Sequence, residues 1–172
     1  TDQAGKVIDD GTCARLGDED FRLTAAEPMY HWFVQNARGF DVEIQDVSGD
    51  WAALAIQGPT ARDLLRDISH NIDADGLRFF GVAQGQLAGA EAVVTRTGYT
   101  GDLGYELWVR NHDALTLWDT IMDVGRAHGI YAAGLDALDV CRVEAGFIMM
   151  GVDYIGAFDA VIASQKSSPY EI

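Results

Sequence analysis

Cysteine is scarce: the chain holds two, Cys13 and Cys141, neither in a CxxC pair nor beside a histidine cluster. That excludes a disulfide scaffold and gives no zinc-site signature, and it fits a reducing, cytoplasmic setting. Basic residues are scarce as well, 12 Lys and Arg against 27 Asp and Glu, for a net charge of −15. Such a field repels nucleic-acid phosphates and anionic membrane surfaces, so neither is an expected partner. An anionic ligand would need a local arginine to overcome it. No apolar run approaches the ~20 residues of a membrane span. The chain opens on Thr1 with no leader-like segment, from which a natural start further upstream is expected. No Pro, Gly or Ser-rich linker, internal period or low-complexity tract divides residues 1–172, so they are expected to be continuous structure.

What is present is an ordinary globular composition, 48% hydrophobic and 23% charged, in a chain of 172 residues, enough for a substantial core. The first forty residues read as strands at Lys6 to Asp9, Thr12 to Leu16 and Phe21 to Ala25. A helix then opens at Pro28, carries Met29, Trp32, Phe33 and Asn36 at helical spacing, closes at Gly39 and packs on a sheet. Strands follow at Val42 to Asp46 and Trp51 to Gln57, the second apolar enough for a sheet interior. Gly58-Pro59 stops it. Thr60 is placed to cap a short helix whose inner face is Ala61, Leu64, Leu65 and Ile68. Strands at Phe79 to Leu87, Ala90 to Thr97 and Tyr105 to Arg110 form a meander. Helices at Asp113 to His128, with Leu117, Trp118, Ile121, Met122 and Val124 inward, and Leu135 to Ala145 complete the pattern. Strands pair locally instead of alternating with crossovers, which predicts an α+β fold with a mixed, largely antiparallel sheet and packed helices.

Three segments gather glycine, carboxylate and arginine where a core needs none of them. In Arg96-Thr97-Gly98-Tyr99-Thr100-Gly101-Asp102-Leu103-Gly104-Tyr105-Glu106 the glycines permit tight turning, and two readings stay open: a plain hairpin, or close approach to a ligand. A dinucleotide fingerprint is excluded, because Tyr105 to Val109 continues as a strand and not a helix. Asp9 and Asp10 end a predicted strand and point to opposite faces, so at most one enters any pocket, and either could equally be a turn residue. Arg142 lies three residues after Asp139, the spacing of a surface ion pair, unless its planar fork faces a carboxylate in a cleft. His31, His70, His112 and His128 are scattered and suggest no triad, and His128 is placed to cap a helix end. The four tryptophans fall on apolar faces and read as core, with Trp108 the possible stacking exception.

Taken in order, Gly5-Lys6-Val7-Ile8-Asp9-Asp10-Gly11, Leu54-Ala55-Ile56-Gln57-Gly58-Pro59, the Arg96 to Glu106 loop and Arg142-Val143-Glu144-Ala145-Gly146 resemble the glycine-cleavage T-protein (aminomethyltransferase) family across nearly the whole chain. The resemblance implies a partial folate-binding domain over 1–172, with an upstream stretch and a C-terminal barrel lying outside it. It implies tetrahydrofolate as cofactor and transfer of an aminomethyl or methyl group from a small-molecule donor. By the same resemblance Asp10 is the catalytic carboxylate, with Asp9 as substitute, near the folate nitrogen that accepts the carbon unit. Glu106 matches the pterin-recognising glutamate, Tyr99 a cavity-lining tyrosine, and Arg142 an arginine near the folate tail or substrate carboxylate. No metal is implied.

Two departures matter. Phe147-Ile148-Met149-Met150-Gly151-Val152-Asp153-Tyr154 replaces the family's usual continuation after Gly146, and Gly11 stands where the family usually has leucine. Both resemble the branch related to folate-dependent demethylases and N-methyl amino-acid oxidising enzymes. A lipoyl carrier protein is the implied partner of a glycine-cleavage component, and a fused oxidase domain that of the demethylase branch. The alternative function is a non-catalytic folate-binding regulator of the iron–sulfur assembly type, against which neither cysteine sits in the motif such factors carry.

Overall fold

The computed structural model describes residues 1–25 and 30–162, grouped in two compact units, one formed by the described residues of 1–46 and 147–172 and the other by Val47–Gly146. In the first, β1 (Gly11–Arg15) and β2 (Phe21–Ala25) form an antiparallel hairpin in which the Thr12 and Thr24 hydroxyls meet at 2.6 Å. The expected strand at Lys6 to Asp9 is absent. Asp2 instead accepts the amides of Ala4 and Lys6 through Oδ1, both at 2.9 Å, and this local side-chain bonding winds the backbone into a turn. The stretch Val42 to Asp46 is also no strand: it finds no ladder partner among the described residues, and Val42 is exposed. Helix α1 (Tyr30–Asn36) buries none of its residues fully, and Trp32 meets the edge of Phe158 at 6.4 Å. The predicted start of that helix at Pro28 and Met29 lies outside the described residues.

The second unit is a five-stranded antiparallel sheet in the order β3-β7-β6-β5-β4, built from β3 (Trp51–Gln57), β4 (Ser69–His70), β5 (Val82–Leu87), β6 (Ala90–Thr95) and β7 (Gly104–Arg110). Two helices, α2 (Ala61–Ile68) and α3 (Ala114–Gly125), pack on it. Alternation along each strand sends one set of side chains toward the helices. Ile56, Val94, Tyr105, Leu107 and Val109 join Ala61, Leu64, Leu65, Ile68, Leu117 and Ile121 in one core. The inner face of α2 is the one its periodicity predicts. Trp118 departs from expectation and is largely exposed, since Leu117 and Ile121 already fill the contact line of α3. Strand β3 departs too, lying at the sheet edge with Ala53 and Ala55 exposed.

The connections explain themselves chemically. Ala88 and Gly89, with φ of 50° and 85°, join β5 to β6 in the two-residue left-handed turn that matches strand twist. Thr60 occupies the N-cap position of α2 without a side-chain cap bond, its hydroxyl donating instead to the carbonyl of His128 at 3.4 Å. His128, just past α3, sets its ring Nε2 2.7 Å from Asp67, tying that helix end to α2. The chain then runs to α4 (Leu135–Glu144), whose one fully buried residue is Arg142.

Candidate functional site

Glu106 sits on β7 with its side chain on the sheet face away from α2 and α3, opposite Ala55 of β3 and Thr95 of β6. Strand pairing supplies its neighbours. Thr97 Oγ1 donates to Glu106 Oε2 at 2.6 Å, Thr95 Oγ1 lies 3.2 Å from the same oxygen, and the two threonine oxygens are 2.7 Å apart. Both threonines are buried, while Glu106 is half-exposed. Among the described residues every hydrogen bond to this carboxylate goes to Oε2 and none to Oε1. A half-exposed carboxylate held at one oxygen is suited to receive a planar pair of N–H donors.

The glycine loop beside it has a tertiary cause. A Cβ on Gly98 or on Gly104 would lie 2.1 Å from Oε1 of Gln57, so the carboxamide of Gln57 fills the space that both glycines leave. Gln57 accepts the Thr100 hydroxyl at 3.0 Å, and Gly58 donates its amide to the Leu103 carbonyl at 2.8 Å. The loop is thereby pinned to the end of β3. Gly101, at φ +76°, faces Ala145, whose Cβ would be 2.5 Å from an added one. The segments Leu54 to Pro59, Arg96 to Glu106 and Arg142 to Gly146, far apart in sequence, thus meet through these glycines, with Tyr99 half-buried in the loop.

Arg142 pairs with Asp139 as the three-residue spacing predicts, Nε to Oδ1 at 2.8 Å, but not as a pair lying wholly at the surface: the arginine is 2% exposed and only the aspartate faces water. Asp10 belongs to the other unit. It is exposed directly before β1 and accepts the Tyr154 hydroxyl at 3.5 Å, whereas Asp9 turns a carboxylate oxygen into the interior. Asp10 is thus the more accessible of the two, and with no strand before Gly11 the alternation expected of them does not apply. Gly11 after it has no room for a side chain, since a Cβ would fall 1.8 Å from the Thr24 carbonyl oxygen. Among the described residues no cluster of His, Cys, Asp and Glu could hold a metal ion, and no helix is long and apolar enough to cross a membrane.

The family described as the GCVT N-terminal domain matches residues 1–164. The chain belongs to the glycine-cleavage T-protein family. An aminomethyltransferase of Thermoanaerobacter sp. (strain X514) is 38% identical over 152 residues, covering 86% of this chain and 41% of its own length. The trimethylamine-oxide aldolase of Ruegeria pomeroyi is 34% identical over 177 residues, covering 97% of this chain and 21% of that enzyme. The crystal structure of the glycine cleavage system aminomethyltransferase T from Bartonella henselae superposes with a TM-score of 0.73 at 27% identity, over 86% of this chain and 39% of that one. The chain thus spans less than half the length of these relatives. The heterotetrameric sarcosine oxidase of Corynebacterium sp. U-96 shares the fold, with a TM-score of 0.60 at 20% identity.

In this T-protein domain the sequence motifs were visible but some of the residues that hold them were not. Thr95 carried no signal and Thr97 stood only within the glycine-loop motif, because a threonine in a strand is ordinary. Their spacing of two, which puts both on one face beside a cross-strand glutamate, was the available signal. Gln57 was visible only as part of a motif, with no role attached.

Proposed function

We propose that this chain forms the tetrahydrofolate-binding part of a cytoplasmic enzyme that moves a one-carbon group from a small amine-borne donor onto tetrahydrofolate. The observation that carries the reading is Glu106: a partly exposed carboxylate with Oε2 fixed by buried hydroxyls and no hydrogen bond to Oε1 among the described residues, which leaves lone pairs on both oxygens for a reduced pterin's ring N–H and amino group. The family relatives named aminomethyltransferase support the reaction class. Bound tetrahydrofolate supplies the nitrogen that accepts the carbon unit.

The chain's own residues take distinct parts. Glu106 orients the pterin. Tyr99 lines the cavity. Arg142, buried with its Nε held by Asp139, is the arginine that would meet a carboxylate of the folate tail or of the donor. Asp10 is the catalytic carboxylate: exposed and hydrogen-bonded by Tyr154, it receives a proton and favours a cationic donor group. A lipoyl carrier protein or a fused oxidase domain delivers the donor. The relative named trimethylamine-oxide aldolase supports an N-methylated amine as donor, as the aminomethyltransferase relatives support the glycine-derived unit.

Calorimetric titration of tetrahydrofolate into the full-length protein tests this. Glu106→Ala is expected to weaken binding by about tenfold or more. Asp10→Asn is expected to keep binding and lower turnover by about 10²–10⁴-fold. A wild-type protein that binds no tetrahydrofolate would refute the assignment.

A further inference from the structure

Accepting that Glu106 recognises the pterin, the geometry points to Thr97, backed by Thr95, as the positioning residue that decides how Glu106 presents its carboxylate. Proton accounting supports this. Each threonine hydroxyl has one proton to give. Thr97 Oγ1 is 2.6 Å from Glu106 Oε2, a short charge-assisted bond, so its proton goes to the carboxylate. Thr95 Oγ1 is 2.7 Å from Thr97 Oγ1 but 3.2 Å from Glu106 Oε2, so its proton is better placed on Thr97. The result is a relay, Thr95 to Thr97 to Glu106, in which each bond polarises the next.

Three consequences follow for the ligand. Oε2 keeps one lone pair and Oε1 keeps two, so each oxygen has a site open for one of the two parallel N–H donors that the edge of a 2-amino-pyrimidinone type ring supplies. The relay fixes the carboxylate's rotation, which is otherwise broad about its terminal bond. Because both threonines are buried, water competes poorly for Oε2. Glu106 alone therefore supplies charge, while Thr97 supplies the plane in which that charge is offered.

The test is a comparison of two ligands on the full-length protein. One is tetrahydrofolate, and the other is its analogue with the pterin 2-amino group replaced by methyl, which cannot make the paired contact. Thr97→Val keeps the shape and removes the hydroxyl; Thr97→Ser restores it. Thr97→Val should weaken tetrahydrofolate by about tenfold, leave the analogue within about twofold, and be rescued by Thr97→Ser. In the Glu106→Gln background the same substitution should cost nothing further, since the two act as one unit. Equal weakening of both ligands would mean that Thr97 serves packing alone and would overturn the inference. So would unchanged tetrahydrofolate affinity in Thr97→Val alongside weakened affinity in Glu106→Gln, an outcome that leaves pterin recognition by Glu106 intact. If Glu106→Gln itself changes neither ligand, it is that recognition which fails, and the positioning role falls with it. Melting temperatures of the unliganded variants establish that each is folded.

Discussion

Gln57 shows how one side chain dictates the residues around it. Its carboxamide lies where a Cβ on Gly98 or Gly104 would have to go, and it accepts the Thr100 hydroxyl. Gln57→Ala removes the group for which both glycines make room, and about 1–2 kcal/mol of stability should go with it, read as a lower urea midpoint. Gly98→Ala meets only the far end of a flexible side chain, so it should cost less than Gln57→Ala; the reverse order would show that the loop does not rest on Gln57. Spacing alone left these glycines open between a plain hairpin and approach to a ligand. A glycine records that something occupies the place of a side chain, and only the fold says what. The acidic pair shows the same limit: the strand from which Asp9 and Asp10 were expected to face apart is absent, and only the fold shows Asp10 to be the exposed one.

At the scale of elements, α2 was readable in full because its four apolar positions and the Gly58-Pro59 stop agree, whereas its end contacts were not. Arg66 reaches Asp63 on its own helix and Asp75 in the loop beyond, with Nε 3.1 Å from Asp75 Oδ2. The hydrogen bond from Arg66 holds the Asp75 carboxyl below the usual carboxylate range. A carboxyl lowered in the folded state stabilises it above the unfolded value of about 3.9 and ceases to as pH falls through the folded value. Asp75→Asn should therefore melt slightly below wild type at neutral pH, the gap closing on acidification; a gap that persists unchanged in acid would remove the ion pair as its cause. The pair is exposed, so the effect is small. Gly101 makes a sharper case. Ala there must adopt φ +76° and crowd Ala145, and the backbone term alone is about 1–2 kcal/mol. Chemical denaturation of Gly101→Ala, with and without Ala145→Gly, separates the two terms, and the second change should recover only the crowding part.

For the molecule as a whole, the charge excess and the core set the behaviour. With a pI near 4.3, solubility should be lowest close to that pH and rise steeply above it as carboxylates ionise. Leu107, fully buried at the centre of the β7 contacts, should cost about 2–5 kcal/mol as Leu107→Ala, measured by denaturant unfolding. The α+β class, the meander of β5, β6 and β7, the inner face of α2 and the motif residues followed from sequence, because periodicity, glycine punctuation and β-pairing between neighbouring segments are local properties of the chain. The rest depended on contacts between residues distant in sequence: Gln57 against Gly98 and Gly104, Ala145 against Gly101, the burial of Arg142, and β3 at the sheet edge. Strand status at Lys6 to Asp9 and Val42 to Asp46 was lost for the same reason, since a strand exists only where a partner strand takes up its hydrogen bonds. Sequence named Glu106; the tertiary structure decided which of its two oxygens Thr97 holds, because that contact is made by a neighbouring segment of the chain.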